Sequence, residues 1–364
     1  MERKLATLRK ISEIKPIEGA DAIELAVIDG WNVVTAKAVG HKVGDLVIYC
    51  EIDSFLPIEP EFEFLRKSSF KKMGDQEGFR LKTIRLRGQT SQGLIIPLKD
   101  GIEVMKRKGI SDIDILNLQE GNDVSSNLGI IKYDPPIPAE LAGKVKGNFP
   151  SFIRKTDEER IQNLAKYYEK YKELKMYVTE KLDGSSATYF VRDGIFGVCS
   201  RNLELSEPEE FVEGLVMCPD GIERPRQQNS FWKTALELDL KEKMLSLNRN
   251  ICLQGELIGE GIQGNPYKIK GQTVKFFNAF DIDTQEYLDL HEFSKIIAEL
   301  ELDTVPILHL DFKLEGTIED LLKYAEAPSE LNQNFSREGI VIRSHDRKVS
   351  FKVISNQFLL NNKD

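Results

Sequence analysis

One lysine stands where a β-strand ought to bury an apolar side chain, and that placement constrains this chain more than any other feature. The run Met176-Tyr-Val-Thr-Glu-Lys-Leu-Asp-Gly-Ser-Ser-Ala-Thr-Tyr-Phe-Val191 begins β-rich, breaks at Asp183-Gly184 and resumes from Ala187 to Val191. Side chains alternate along a strand, so Lys181 and Asp183 share one face while Glu180 and Leu182 take the other. An amine and a carboxylate then meet at a strand end, beside a glycine that admits a close backbone approach. A free lysine has a pKa near ~10.4 and exposes its lone pair at pH 7 in only about one molecule in a few thousand. Asp183 alone deepens that deficit, because a nearby negative charge favours the ammonium. A divalent cation held by Asp183 and other carboxylates reverses the local sign. The pattern points to a lysine nucleophile paired with a metal, acting on an anion such as a nucleotide phosphate. A surface Lys–Asp pair before a hairpin turn explains it too: Lys-x-Asp-Gly arises by chance in roughly one chain in ten of this length. Other residues must decide.

At 364 residues the chain has room for two or three domains with well-buried cores. Its 41% hydrophobic and 30% charged residues describe a globular protein, and no apolar run approaches the ~20 residues of a membrane span. The N-terminus lacks the apolar core of a signal peptide, so the expected location is the cytoplasm, or the nucleus of a eukaryotic cell. Cys50, Cys199, Cys218 and Cys252 are widely separated with no CxxC, and the four histidines lack ligand spacing. Reduced thiols are expected, not a disulfide framework or a structural zinc. The net charge of −9 argues against indiscriminate coating of nucleic acid but leaves room for a local basic groove.

Residues 1 to 133 read as short β-runs. Ala22 to Ile28 and Trp31 to Ala36 flank the hairpin signal Asp29-Gly30, and Gly44 to Cys50, Phe79 to Arg87 and Gly93 to Leu98 follow. Five or so closely spaced strands suggest a small closed barrel, of which the OB-fold is one. Arg80 with Lys82, and Arg85 with Arg87, form two same-face pairs whose phase slips as if across a bulge at Thr83-Ile84. These four are either a strip that tracks a phosphate backbone or a solvated outer face. The stretch from Tyr133 to Pro150 holds four prolines and reads as a connector; the linker is placed at 134–150 and a second domain at 151–364. Thr156-Asp-Glu-Glu159 has the form of a capping box, which predicts a helix over 157–174. Ser230 is the expected cap of a helix running to about Leu247, and further helices are expected near 291–300 and 317–325.

Strands of the second half repeatedly set one charge among apolar neighbours: Lys181 with Asp183, then Glu256, Glu338 and Lys352. Charges rarely enter buried strands unless paired or bound to a metal or ligand. Three carboxylates can position a hydrated Mg²⁺ or Mn²⁺, and two lysines, one nucleophilic and one electrostatic, suit phosphoryl chemistry.

The ordered set Lys181-Leu-Asp-Gly184, Ser200-Arg-Asn202, Gly255-Glu-Leu257, Phe276 to Asp281, Glu338-Gly-Ile340 and Phe351-Lys352 resembles the collinear motifs of covalent nucleotidyltransferases. These are the ATP-dependent DNA and RNA ligases and the mRNA capping enzymes. The run Glu180 to Ser186, the Thr156 to Asn163 segment and Gly44 to Pro57 look most like the fifth RNA ligase family, whose OB module precedes the catalytic domain. DNA ligases and capping enzymes carry that module after the last motif, and here only about a dozen residues follow Lys352. The resemblance implies an α+β fold: an N-terminal OB-like β-barrel, then an ATP-grasp-like nucleotidyltransferase domain of antiparallel sheets and flanking helices. It implies ATP as cofactor, AMP carried covalently on Lys181, RNA ends as partners and a monomer without membrane attachment. Asp183, Glu256 and Glu338 would hold Mg²⁺ or Mn²⁺ through water, and Lys352 would bind the α-phosphate. Glu180 and Arg201 would line the nucleotide site, and Phe277 would stack on adenine while Phe280 stays in the core. Arg80, Lys82, Arg85 and Arg87 would contact RNA. One departure stands out: the family's last motif reads Lys-x-Lys, but Ser350 and Ile354 flank Lys352 on its face, so Lys348 or a distant basic residue must substitute. A DNA ligase or capping-type enzyme, or a non-catalytic OB-containing RNA-binding protein, are the alternative readings.

Overall fold

Alternation in two sets of strands decides this architecture. In the computed structural model, which describes residues 4–134, 145–208, 215–217, 223–225 and 229–361, the second half builds two large antiparallel-dominated sheets and a two-stranded ribbon, Leu215–Met217 with Glu223–Pro225. Seven strands run in the order Val145–Asn148, Leu203–Leu205, Ile195–Cys199, Ser185–Arg192, Ile251–Gly259, Gln272–Asp281 and Glu286–Tyr287, each antiparallel to its neighbours. Five strands form the other, in the order Glu159–Arg160, Ser350–Ile354, Gly339–Ser344, Met176–Lys181 and Ile307–Phe312. Only the first of these pairs in parallel.

Each sheet buries one face under helices. Ala187, Tyr189, Leu253, Leu257 and Phe276 pack on Trp232, Met244, Phe293 and Ile297 of the helices Ser230–Glu237, Leu240–Ser246 and Leu290–Glu299. Met176, Val178, Ile340, Ile342, Phe351 and Val353 pack on Ile161, Tyr168, Leu321 and Ala325. Each fully buried Leu, Ile, Val, Phe or Met among them contributes roughly 1.5–3 kcal/mol. The period of two then turns Tyr177, Thr179, Lys181, Arg343 and Lys352 of one sheet, and Gln254 and Glu256 of the other, toward each other. The polar interior of the second half is thus a consequence of its two apolar exteriors.

The N-terminal half is made of short strands in three- and four-stranded sheets and one two-stranded ribbon, around interiors lined by Leu8, Ile48, Leu56, Phe79 and Met105 and by Ile28, Trp31, Val33 and Tyr49. Asp29 takes φ 49° at the hairpin that joins Ile23–Ile28 to Trp31–Ala36. Among the described residues no helix is long and apolar enough to cross a membrane.

Several local expectations change. The helix expected over 157–174 is a bridging strand Glu159–Arg160, a 3₁₀ segment Ile161–Tyr167 and one α-turn Tyr168–Tyr171. Its capping-box acids are used elsewhere, Asp157 on Lys352 and Glu158 on Arg343. The phase slip near Thr83 is not a bulge but a strand end. Gln76–Arg80 closes before Leu81, and Thr83–Leu86 starts a separate hairpin with Gln89–Gln92. Asn229, not Ser230, caps its helix, accepting from Phe231 N–H at 3.0 Å. That helix ends at Glu237, because Asp239 adopts φ 53° before the next begins. Of the connector, residues 135–144 lie outside the described residues, and Val145–Asn148 is an edge strand of the large sheet.

Candidate active site

Lys181 ends its strand directly across from Gly339, and the glycine is obligatory there: a Cβ would stand 2.2 Å from Val353 O. Gly184 is equally constrained, since its Cβ would lie 2.4 Å from Leu257 O. Gly184 lets the strand carrying Glu256 close on the lysine turn, and Gly339 lets the segment carrying Glu338 close on the strand of Lys352. Lys181 Nζ donates to Glu338 Oε2 at 2.7 Å, and the two side chains are 27% and 17% exposed. Glu256 and Asp183 are the next charges that the amine meets.

The electrostatics of this quartet follow from counting. Burial alone would favour the neutral amine, but Glu338, Glu256 and Asp183 outweigh it and hold the Lys181 ammonium above its usual range. Three ionised carboxylates around one cation would leave two uncompensated negative charges in a half-buried space. Glu256 relieves this by keeping its proton: burial first, then Glu338 and Asp183, push its carboxyl up to about 8 against the pull of Lys181. A site that protonates one of its own acids has room for a further positive charge. Among the described residues no three His, Cys, Asp or Glu side chains are arranged to hold a metal ion directly. The donor set suits a hydrated divalent cation held through its waters.

Lys352 faces the same interior. Its Nζ donates to Asp157 Oδ1 at 2.9 Å, and Lys132, from the N-terminal half, reaches Asp157 Oδ2 at 3.4 Å. Burial opposes ionisation of Asp157, but Lys352, Lys132 and Arg201 hold its carboxyl far below the ordinary range. Arg201 therefore belongs to this cluster, although its side chain is exposed. Lys348 does not: it is 83% exposed and pairs at 3.5 Å with Asp346 on a turn. Deeper between the sheets, the Arg343 guanidinium donates to Thr179 Oγ1 at 2.8 Å and Glu158 Oε1 at 3.0 Å, and lies 5.6 Å from the centre of the Phe277 ring.

Phe277 owes its position to a bulge. Gln254 pairs with Asn278 and Gly255 with Phe276, so Phe277 is the extra residue in its strand. It is half-buried, whereas Phe276 and Phe280 are fully buried. Glu180 points away from Lys181, as the alternation requires, and its Oε2 accepts from Glu330 N–H at 2.8 Å. Burial raises its carboxyl above the usual range.

The four basic residues of the N-terminal half do not form one strip. Arg80 lies over the Tyr133 ring at 4.5 Å and pairs with Asp53 at 3.6 Å. Lys82 is half-buried between two strands, and only Arg85 and Arg87, on the separate hairpin, are exposed.

Asp157, Arg343 and Lys132 are absent from the sequence-derived site. Asp157 and Lys132 carried a signal in hindsight, as charges flanking the proline-rich connector. Arg343 had one too, sitting inside the strand that Glu338 enters.

A family model described as RNA ligase matches residues 174–354, and one described as an OB-fold domain matches residues 5–98. Naegleria gruberi RNA ligase, in a mutant form with ATP and Mn, is 42% identical, with all of each chain covered and a TM-score of 0.84. This chain belongs to the RNA ligases. The same ligase solved with PPi is 42% identical over 98% of each chain, with a TM-score of 0.84. A mutant with AMP and Mn is 42% identical with all of each chain covered, at a TM-score of 0.85. No curated protein matches this sequence.

Proposed function

We propose that this RNA ligase uses ATP to join an RNA 3′-hydroxyl to a 5′-phosphate at a nick in a duplex, working as a monomer in the cytoplasm. Residues 1–133 form the OB module and 151–364 the nucleotidyltransferase, whose large sheet also takes the edge strand Val145–Asn148 from the 134–150 connector. The observation that carries the reading is the Lys181 amine 2.7 Å from Glu338, among three carboxyls and between two sheets.

The Lys181 lone pair forms a nitrogen–phosphorus bond to the α-phosphorus of ATP as the bond to the β-phosphate oxygen breaks and pyrophosphate departs. The proton that the resting ammonium must lose has Glu338 Oε2 as its nearest acceptor. Asp183, Glu256 and Glu338 would hold Mg²⁺ or Mn²⁺ through its waters, supplying positive charge that opposes protonation of the amine. Lys352 steadies the α-phosphate once it leaves Asp157, and Arg201 lies close enough to serve the same anion. Phe277 stacks on the base, and Glu180 supports the lysine strand from beneath. An oxygen of the RNA 5′-phosphate then displaces Lys181 from phosphorus to give the RNA adenylate. The 3′-hydroxyl attacks the 5′-phosphorus, expelling AMP and closing the phosphodiester.

The test is incubation with α-labelled ATP and Mg²⁺ or Mn²⁺. The protein takes up an acid-labile label that Lys181→Ala abolishes, and a label that persists in the variant refutes the assignment. Nicked duplexes with an RNA or DNA 3′-end then separate RNA sealing from DNA sealing. GTP labelling in place of ATP would mark a capping-type enzyme instead.

A further inference from the structure

The turn carrying Lys181 and Asp183 is held from beneath by a loop that contributes no catalytic side chain. Residues 260–271 connect the strands Ile251–Gly259 and Gln272–Asp281. Glu260 N–H donates to Gly271 O at 2.7 Å and closes the neck of the loop. Asn265 clasps Ile269 in both directions, its Nδ2 donating to the carbonyl at 2.9 Å and its Oδ1 accepting from the amide at 3.1 Å. Three non-glycine residues there take left-handed backbone, Gln263 at φ 45°, Asn265 at 51° and Lys268 at 55°. Such conformations cost on the order of 1 kcal/mol each and persist only where the surroundings enforce them.

What this backbone delivers is Tyr267. Its side chain is 4% exposed, and the ring packs with Leu182, Ile258 and Val305 and edge-on to Phe335. Its hydroxyl oxygen accepts from Asp183 N–H at 2.6 Å. Gln263 Nε2 adds a second tie, to Gly184 O at 3.4 Å. The residue on the other side of Lys181 is fixed independently, Glu180 by the Glu330 amide at 2.8 Å. The two supports are themselves joined, since Asn332 Nδ2 donates to Pro266 O at 2.7 Å. Lys181 is thus suspended between two anchored neighbours, one gripped through its side chain and the other through its backbone.

We propose that Tyr267 is a positioning residue for lysine adenylation, fixing the 181–184 turn through the Asp183 amide and Leu182 so that the amine and the acid trio keep their relative placement. The inference rests on the reading of Lys181 as the nucleotide acceptor. Tyr267 touches no reacting atom; it acts through Asp183 and Leu182. Misplacing a nucleophile or its supporting groups by a fraction of an ångström costs rate and leaves substrate binding alone, typically ~10–100-fold for such supporting contacts.

Tyr267→Phe keeps the ring and its packing and removes only the oxygen that accepts from Asp183. Single-turnover AMP transfer to the variant is expected to slow ~10–100-fold with KM for ATP unchanged and Tm lowered by no more than the loss of one hydrogen bond. In the same variant without ATP or metal, hydrogen exchange at the Asp183 amide accelerates, while amides of the Ile251–Gly259 strand exchange as before. Adenylation at the wild-type rate, an unchanged Asp183 amide, or a loss expressed wholly in KM or Tm each overturns the proposal. Failure of the wild-type protein itself to take AMP onto Lys181 overturns the parent reading instead, so the two failures are distinguishable.

Discussion

Glu256 shows at the scale of one residue why this site needs a cation. Burial denies it water, and its neighbours Glu338 and Asp183 share its sign, so its carboxyl is pushed up to about 8, well above its ordinary 4.5. Between those two values the folded metal-free chain binds more protons than the unfolded one. Stability from this group is therefore fully present below about 4.5 and is lost as pH rises toward about 8. The slope approaches about 1.4 kcal/mol per pH unit for a single proton. Glu256→Gln keeps the shape and removes the titration. Calorimetric unfolding of both metal-free proteins from pH 5 to 8.5 is expected to show the wild-type Tm falling more steeply than that of the variant. Parallel curves would mean that the proton resides on another carboxyl. The Lys181 shift runs against what the proposed adenylation requires, since the same acids hold the amine protonated.

Among elements, the strands were the most legible part of the sequence, because alternation needs only near neighbours. The lysine strand, the strands of Glu256 and Lys352 and the Asp29-Gly30 hairpin all lie where their patterns place them. Elements fixed by distant partners were opaque. The Thr156-Asp-Glu-Glu159 run has the form of a helix cap, but Lys352 and Arg343, nearly two hundred positions later, take its acids. The bulge that sets Phe277 apart from Phe276 depends on the register with Gln254 and Gly255, which no local pattern encodes. That bulge predicts that Phe277→Ala weakens ATP binding by roughly the 1–3 kcal/mol of one base–aromatic stack, whereas Phe277→Tyr largely preserves it. ATP titration of the Lys181→Ala background reads this without turnover, and unchanged affinity would remove Phe277 from the base site. The hairpin Thr83–Leu86 with Gln89–Gln92 carries Arg85 and Arg87 into solvent, apart from Arg80. Replacing both exposed arginines with Ala is expected to spare auto-adenylation and to impair sealing of nicked RNA, the deficit narrowing as salt rises because the variant has fewer phosphate contacts to lose. Equal sealing by the double variant would leave the hairpin without a part in RNA binding.

At the scale of the whole molecule, the two halves meet through polar contacts. Gly30 N–H donates to Gln162 O at 3.3 Å, and a Cβ on Gly30 would meet Gln162 Cα at 2.9 Å. Asn163 sits at the centre: its Oδ1 accepts from the buried Trp31 indole, while its Nδ2 donates to Glu51 of the N-terminal half and to Glu159. Asp157 meets Lys132 from the N-terminal half and Lys352 from the last strand, so Lys352 and the OB module share one carboxylate. Asn163→Ala takes away the partner of a buried indole N–H, which costs about 1–3 kcal/mol. Its kinetic effect should be unequal across the reaction. On the proposed mechanism, adenylation draws only on the second half's two large sheets, whereas sealing draws on RNA held by both halves at once. The variant is therefore expected to form lysyl-AMP near the wild-type rate at a temperature below its transition, yet to seal nicked RNA more slowly. Rates of the two steps measured on the same preparation decide the matter. A proportionate fall in both would make the junction a matter of stability alone, and an unchanged sealing rate would show that the halves need no fixed geometry to hold the nick.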